Sequence, residues 1–329
     1  MRSAAKGITV SRTAVADDFR QLSATRISAA PVIHSVIATT LAHALEAPHD
    51  YPRASWYWAR RDGRVTALAM HTPPRPFHVA TVDPHVSRAL ARRAMIDQLE
   101  IPLVGGLIPG ALAFAETLAF ERGSHIRVVR REGMHDLPGL PRMPSGVPGA
   151  LRPAAGTDLP MLQTWAAAYL DDTRTPAPAR FPLEKWVERG GMQLWEVDGE
   201  PVSMAHASRP HGGVSRVSWV YTPPEHRGHG YAAATAAQVS LRQRRAGHRC
   251  LLYTDLDHPE SSRLYHRIGF RKVGDSCVLR LEAVRATEPT PPPEPPRTGA
   301  PRRGGTLGGT LGSLGGALRS TTQRRRQVD

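Results

Sequence analysis

A glycine-rich turn between a predicted strand and a predicted helix carries the clearest chemical signal in the sequence. The strand spans 214–222, and Arg227-Gly228-His229-Gly230 then leads into an alanine-rich helix over 230–245. A helix N-terminus presents unpaired N–H groups and a positive dipole end, which together bind phosphate. Glycines let a diphosphate approach the backbone, and an arginine adds a charge-assisted hydrogen bond. The pattern predicts a diphosphate site, with a ligand-free strand–helix connection as the alternative.

A second motif follows after one helix and one strand. Residues 261–270 read Ser-Ser-Arg-Leu-Tyr-His-Arg-Ile-Gly-Phe and place Tyr265 in a short predicted helix. Each motif alone is moderately specific, but the ordered pair is a stronger signal. A Rossmann dinucleotide site fits less well, because Ala233 stands where the third glycine of G-x-G-x-x-G belongs.

The ordered pair resembles the two signatures of the GNAT N-acetyltransferase superfamily. The acetyl-CoA motif of that superfamily, Q/R-x-x-G-x-G/A, is matched by Arg227, Gly230 and Ala232, and 261–270 resembles its second signature. The resemblance covers 150–283 and implies an N-acetyltransferase domain that uses acetyl-CoA as co-substrate. It implies cofactor contacts from Val220, Tyr221, Thr222, Arg227, Gly228, His229, Gly230, Tyr231, Ala232 and Ala233.

The resemblance also assigns roles in catalysis. In such folds a backbone N–H near the end of the fourth strand polarises the thioester carbonyl. Tyr265 matches the general acid that protonates the leaving thiolate, and a packing tyrosine is the alternative. His258 stands where an Asn commonly holds the cofactor, and its imidazole has the hydrogen-bonding capacity to replace that Asn.

The general base is less well defined, although an acceptor amine must lose a proton before it attacks. His206 is the sharpest candidate because an imidazole titrates near neutral pH, while a histidine satisfied within its strand is the alternative. Glu196, Glu225, Asp255 and a water relay also stay open. The histidines show no metal-binding spacing, so we predict no metal.

The elements that must position these residues repeat along the chain. Both halves read as two helices, a hairpin with an Asp-Gly turn, a third strand, and then alternating helices and strands. This predicts an α/β protein of two tandem GNAT-like domains, each with a mixed, mostly antiparallel central sheet flanked by helices. We assign 1–137 and 150–283 to the domains, 138–149 to a linker, and 284–329 to a disordered tail.

The first half lacks the cofactor turn. After its third strand it reads Val82-Asp83-Pro84-His85-Val86-Ser87, with no glycine to admit a pyrophosphate and with an aspartate that would repel one. We therefore interpret 1–137 as a degenerate GNAT-like domain.

Composition limits the other function classes. The chain has 329 residues and a formal charge of +14, with arginine spread along its length and clustered only in the Pro/Gly-rich tail. We expect nucleic acid to bind only through that tail, if at all. The sequence has no long apolar run or apolar leader, and only Cys250 and Cys277 as cysteines, which indicates a cytoplasmic protein without a disulfide framework.

The sequence thus predicts direct transfer of an acetyl group from acetyl-CoA to a primary amine, on a small molecule or a peptide. A mycothiol-synthase-like tandem acyltransferase and a CoA-binding protein without turnover remain alternatives. The acceptor and the oligomeric state stay undefined at this level.

Overall fold

A computed structural model describes residues 7–173, 182–257 and 259–283 of the chain. Residues 1–285 form one compact unit. The predicted tail at 284–329 and His258 lie outside the described residues, so the expectations about them remain predictions.

The first half alternates strands and helices in the predicted order, preceded by one additional short strand. Its strands are β1 (Ile8–Thr13), β2 (Ser55–Arg61), β3 (Arg64–His71), β4 (Phe77–Ala80), β5 (Leu103–Leu107) and β6 (Ser124–Leu137). Its helices are α1 (Ala16–Ala29), α2 (Ser35–Glu46), α3 (Pro84–Ile96) and α4 (Gly110–Arg122).

The second half repeats this order. Its strands are β7 (Ala150–Pro153), β8 (Met192–Val197), β9 (Glu200–Ala207), β10 (Val214–Tyr221), β11 (Arg249–Asp255) and β12 (Arg271–Ala283). Its helices are α5 (Leu159–Asp172), α6 (Leu183–Glu188), α7 (Tyr231–Arg245) and α8 (Pro259–Ile268). The predicted linker at 138–149 lies between β6 and β7.

All twelve strands form one sheet, because the last strand of each half pairs with a strand of the other half. The order is β1-β2-β3-β4-β5-β12-β6-β11-β10-β9-β8-β7. Strand β12 pairs with β5 of the first half, and β6 pairs with β11 of the second half, while β6 and β12 pair with each other. Side chains of the first half therefore reach the centre of the second half.

Helices cover both faces of the sheet in each half, as the alternation of strand residues requires. In β2, Tyr57 packs with α3 and α4, whereas the next residue towards the N-terminus, Trp56, packs with α1 and α2. The second half is layered in the same way, with α7 and α8 on one face and α5 and α6 on the other. The predicted α/β architecture with a mostly antiparallel sheet is confirmed.

Both predicted hairpin turns have the expected conformation. Asp62-Gly63 and Asp198-Gly199 have positive φ at both residues, as a two-residue type I′ turn requires. Among the described residues, no helix has the length and apolar character needed to cross a membrane.

Candidate active site

Two neighbouring strands of the second half separate and open a cavity. Parallel pairing of β10 with β11 ends at Arg216 and Leu251. Beyond that point the two strands line a cavity of about 600 Å³. Trp219 has a φ of +56° where the pairing of β10 with β9 shifts register, so β10 carries a bulge beside the cavity. A bulge leaves backbone groups of β10 without partners in the sheet.

The predicted glycine turn follows β10 directly. Gly228 and Gly230 have φ values of +86° and +82°, a region that favours glycine, and α7 begins at Tyr231 without a capping side chain. The N–H groups of its first turn are therefore left for a ligand. A groove of about 640 Å³ lies over this turn. This arrangement fits the diphosphate of a nucleotide cofactor.

The linker forms the opposite wall of the groove, which sequence reasoning missed. Residues 142–147 line it together with 226–233, and Arg267 adds a second cation beside Arg142. The Arg142 N–H donates to the carbonyl of Ile268 at 2.9 Å, which holds the linker against α8. A Cβ at Gly230 would lie 3.1 Å from Val147, so the groove is narrow at the turn.

The predicted cofactor residues divide between groove and cavity. Val220 lines the cavity, and Thr222 lines the groove with the six residues of the turn and first helical positions: Gly228, His229, Gly230, Tyr231, Ala232 and Ala233. Tyr221 lies between them and is buried. The Arg227 side chain donates to the carbonyl of Thr222 at 3.0 Å and pairs with Asp172 at 2.5 Å. It therefore braces the turn against α5 in this conformation.

Tyr265 lies on the wall of the same cavity. Its ring packs edge-on against Phe270, with centroids 6.0 Å apart. Burial raises the pKa of Tyr265, and the neighbouring Tyr169 adds to the rise. The hydroxyl therefore keeps its proton at neutral pH, as a general acid must.

His206 lies in a different cavity, of about 650 Å³, which Tyr265 does not line. Its ring stacks on Trp186 with centroids 4.2 Å apart, and its Nδ1 lies 3.3 Å from the hydroxyl of Ser218. Burial lowers the pKa of His206 to about 4, and Arg216 adds to the effect. A neutral imidazole with so low a pKa is a weak proton acceptor, and the structure does not bring it to Tyr265.

The other predicted base candidates lie in three different surroundings. Glu196 forms an ion pair with Arg152, and Glu225 is exposed beside the glycine turn. Asp255 lines the cavity that contains Tyr265. Of these carboxylates, the structure brings only Asp255 to the predicted acid.

Glu132, which the sequence did not single out, completes this cavity. It lies on β6 of the first half, directly opposite Asp255 of β11 and Ser276 of β12. Cross-strand partners project to the same face, so the two carboxylates are neighbours. Burial raises the pKa of Glu132; Arg130 and Arg216 oppose the rise, and Asp255 adds to it. No local pattern could have found this residue, because its position depends on the exchange of β6.

The corresponding region of the first half has different local contacts. The Asp83 carboxylate accepts hydrogen bonds from the N–H groups of His85 and Val86 at 2.9 and 3.3 Å, so it occupies the N-terminus of α3 itself. Strands β4 and β5 remain in close contact. A Cβ at Gly106 would overlap the carbonyl oxygen of Val79, and one at Gly110 would overlap that of Thr81. No gap comparable to that between β10 and β11 separates these strands.

Within the described ranges, no group of three or more metal-ligand side chains is close enough to hold an ion.

Part of the sequence matches a known protein family. A family model described as FR47-like protein matches residues 197–279, which contain the glycine turn and Tyr265. A search of curated protein sequences found no significant match.

Solved structures resemble nearly the whole chain at low identity. A GNAT-family acetyltransferase from Colwellia psychrerythraea is 11% identical over 84% of this chain and 100% of its own, with a TM-score of 0.53. A Drosophila protein is 14% identical over 84% of this chain and 99% of its own, with a TM-score of 0.58. A tandem GNAT protein from the clavulanic acid biosynthesis pathway is 13% identical over 85% of this chain and 100% of its own, with a TM-score of 0.47. The first two likenesses, the family match and the repeated element order confirm the predicted resemblance: the chain has the GNAT fold in tandem, and residues 197–279 match the FR47-like family model.

Proposed function

We propose that the protein is an N-acetyltransferase that moves an acetyl group from acetyl-CoA directly to a primary amine. One observation carries the proposal: the separated strands β10 and β11 lead from a cavity lined by Tyr265 to the glycine turn at the N-terminus of α7. A diphosphate at the turn and a thioester in the cavity match the two groups of acetyl-CoA that its pantetheine arm joins. His258, the predicted further contact, is outside the described residues.

Different residues of the second half bind different parts of acetyl-CoA. The turn from Gly228 to Ala233 supplies N–H groups for the diphosphate, and the linker closes the groove from the other side. The free edge of β10 around Val220 offers backbone hydrogen bonds to the pantetheine arm. A backbone N–H beside the bulge would stabilise the oxyanion that develops on the thioester carbonyl.

Two side chains of the cavity transfer the protons of the proposed reaction. Glu132 takes a proton from the acceptor ammonium, and the amine nitrogen then attacks the carbonyl carbon. As the new C–N bond forms, the C–S bond breaks and its electron pair stays on sulfur. Tyr265 gives its proton to that thiolate, and the new amide nitrogen returns its second proton to the tyrosinate, while Glu132 releases the first proton to solvent. We prefer Glu132 to the predicted base His206 because Glu132 and Tyr265 line the same cavity.

Both halves line the cavity, and the first half contributes residues of α2, β3, β4 and β5 as well as β6. We propose that 1–137 is a degenerate domain that binds no acetyl-CoA, because Asp83 fills the helix terminus and β4 stays against β5. The first half acts by supplying Glu132 and one wall of the cavity.

Release of free CoA thiol tests the proposed reaction. The full chain is mixed with acetyl-CoA and a panel of primary amines, including amino acids, aminoalkanes and peptide N-termini, and thiol is followed by its reaction with a disulfide reagent. We expect amine-dependent release above the rate in buffer alone. Binding of acetyl-CoA without release across the whole panel would instead favour a CoA-binding protein without turnover.

A further inference from the structure

Arg216 lines the cavity that contains Tyr265, and it forms no ion pair with any carboxylate of the residues that the structure describes. Arg216 is the last residue of β10 that pairs with β11, and its side chain lies over the ring of Tyr253, 5.8 Å from the centroid. Its Nε is buried and has no hydrogen-bond partner among the described residues. No carboxylate in the described ranges lies within 4.0 Å of its guanidinium, whereas the Nε of Arg130 lies 3.3 Å from Glu132.

Arg216 is half-buried, and its buried Nε is costly to leave unpaired, because water no longer reaches this donor and no acceptor in the described residues replaces the water. Its planar set of donors fits a carboxylate, which it can bind through two parallel hydrogen bonds. Such an anion is not supplied by the described part of the protein. A ligand that carries a carboxylate would supply it.

The acidic side of the cavity lies close to Arg216. Tyr253, under the guanidinium, is two residues before Asp255 on β11, a separation of about 7 Å along a strand. Asp255 is directly opposite Glu132. This part of the cavity therefore presents the carboxylates of Glu132 and Asp255 and, about one side-chain length away, the guanidinium of Arg216.

Opposite charges at this spacing match the two ends of an amino acid. Given the proposed function, we infer that the acceptor is an aminocarboxylate, whose carboxylate binds Arg216 while its amine faces Glu132 and Asp255. The volume of about 600 Å³ leaves room for a side chain as well as for the acetyl end of the cofactor. An amine without the carboxylate would leave Arg216 unpaired and would bind less tightly.

Matched ligands test this inference on the unmodified chain. Glycine, β-alanine, glutamate and phenylalanine are each compared with the carboxamide made from their α- or terminal carboxylate, by calorimetry in the presence of saturating CoA. We expect at least one amino acid to bind about 10- to 100-fold more tightly than its amide, the usual range for one charge-assisted contact. Equal affinity for acid and amide in all four pairs, or no binding of any acid, would overturn the inference.

Two variants assign the effect to Arg216. Arg216→Met removes the charge while keeping an extended apolar side chain, and we expect it to remove the preference for the acid. Arg216→Lys keeps the charge, and we expect it to retain part of the preference even if the Met variant does not fold. A folded Arg216→Met chain with the parental preference would contradict the assignment.

This experiment separates the inference from the proposed function. Binding of an amino acid without any release of CoA would support the carboxylate site and count against the transferase. Release of CoA with simple aminoalkanes as fast as with amino acids would support the transferase and count against the carboxylate site.

Discussion

In the proposed reaction, proton transfer depends on two side chains that come from different halves of the chain. Tyr265 belongs to the second half and Glu132 to the first, and both line one cavity. Burial raises the pKa of both groups. For the tyrosine this preserves the acid, and for the glutamate it strengthens the base, so the same physical effect suits both roles.

Replacement of Glu132 by Gln tests the proposed base. We expect kcat to fall by about 10²–10⁴-fold near neutral pH, the usual contribution of general base catalysis. In the parent, kcat should rise with pH through the pKa of Glu132, which lies above the ordinary range for a glutamate. The variant should lack the rise that follows the titration of Glu132. Its kcat should instead increase with the fraction of the acceptor amine that is unprotonated.

Asp255→Asn is the matched control for this experiment. The charged groups around Glu132 are Arg130, Arg216 and Asp255, and only Asp255 raises its pKa. Removing that negative charge should lower the pKa of Glu132 and move the rise in kcat to lower pH. A Glu132→Gln chain with the parental rate and pH profile would exclude Glu132 as the base.

Replacement of Tyr265 by Phe tests the proposed acid. The ring still packs against Phe270, so we expect the affinity for acetyl-CoA to stay within a few-fold of the parent. Turnover should fall about 10- to 100-fold, at the low end for general acid catalysis because a thiolate is a fairly good leaving group. The loss should grow with pH. Parental turnover in the Phe variant would show that Tyr265 only packs.

Among the elements, the sequence predicted the segments whose backbone conformation depends mainly on their own residues. The Asp-Gly turns and the glycine turn were predicted because their residues favour positive φ or a close approach of the backbone. The length of strand β6, which runs from Ser124 to Leu137, was not predicted. Its partners are β12 and β11, more than a hundred residues away, and no local periodicity reports such pairing.

The short outer strands show the same limit. Strands β1 and β7, six and four residues long, were not predicted. Each lies at an edge of the sheet and pairs with one strand only, so its extended conformation depends on that partner more than on its own residues. The linker was predicted as a connection, and its position as a wall of the groove required the contact of Arg142 with Ile268.

At the scale of the whole molecule, two halves with one fold have unequal sites. In the second half β10 and β11 separate beyond Arg216, whereas in the first half β4 and β5 stay together and Asp83 caps the next helix. Residues of the first half nevertheless line the cavity that contains Tyr265, among them Glu132 of β6. We therefore propose a single acetyl-CoA site that both halves build.

A calorimetric titration of the full chain with acetyl-CoA tests this claim most directly. We expect one site per chain, which Gly230→Val should abolish because its side chain would enter the narrow groove beside Val147. Gly247→Val is the matched control: Gly247 has a similar φ of +84° but open space around it, beyond the other end of α7. One site in the parent and in the control, and none in Gly230→Val, is the predicted result. Two sites per chain, or undiminished binding in a folded Gly230→Val chain, would contradict it.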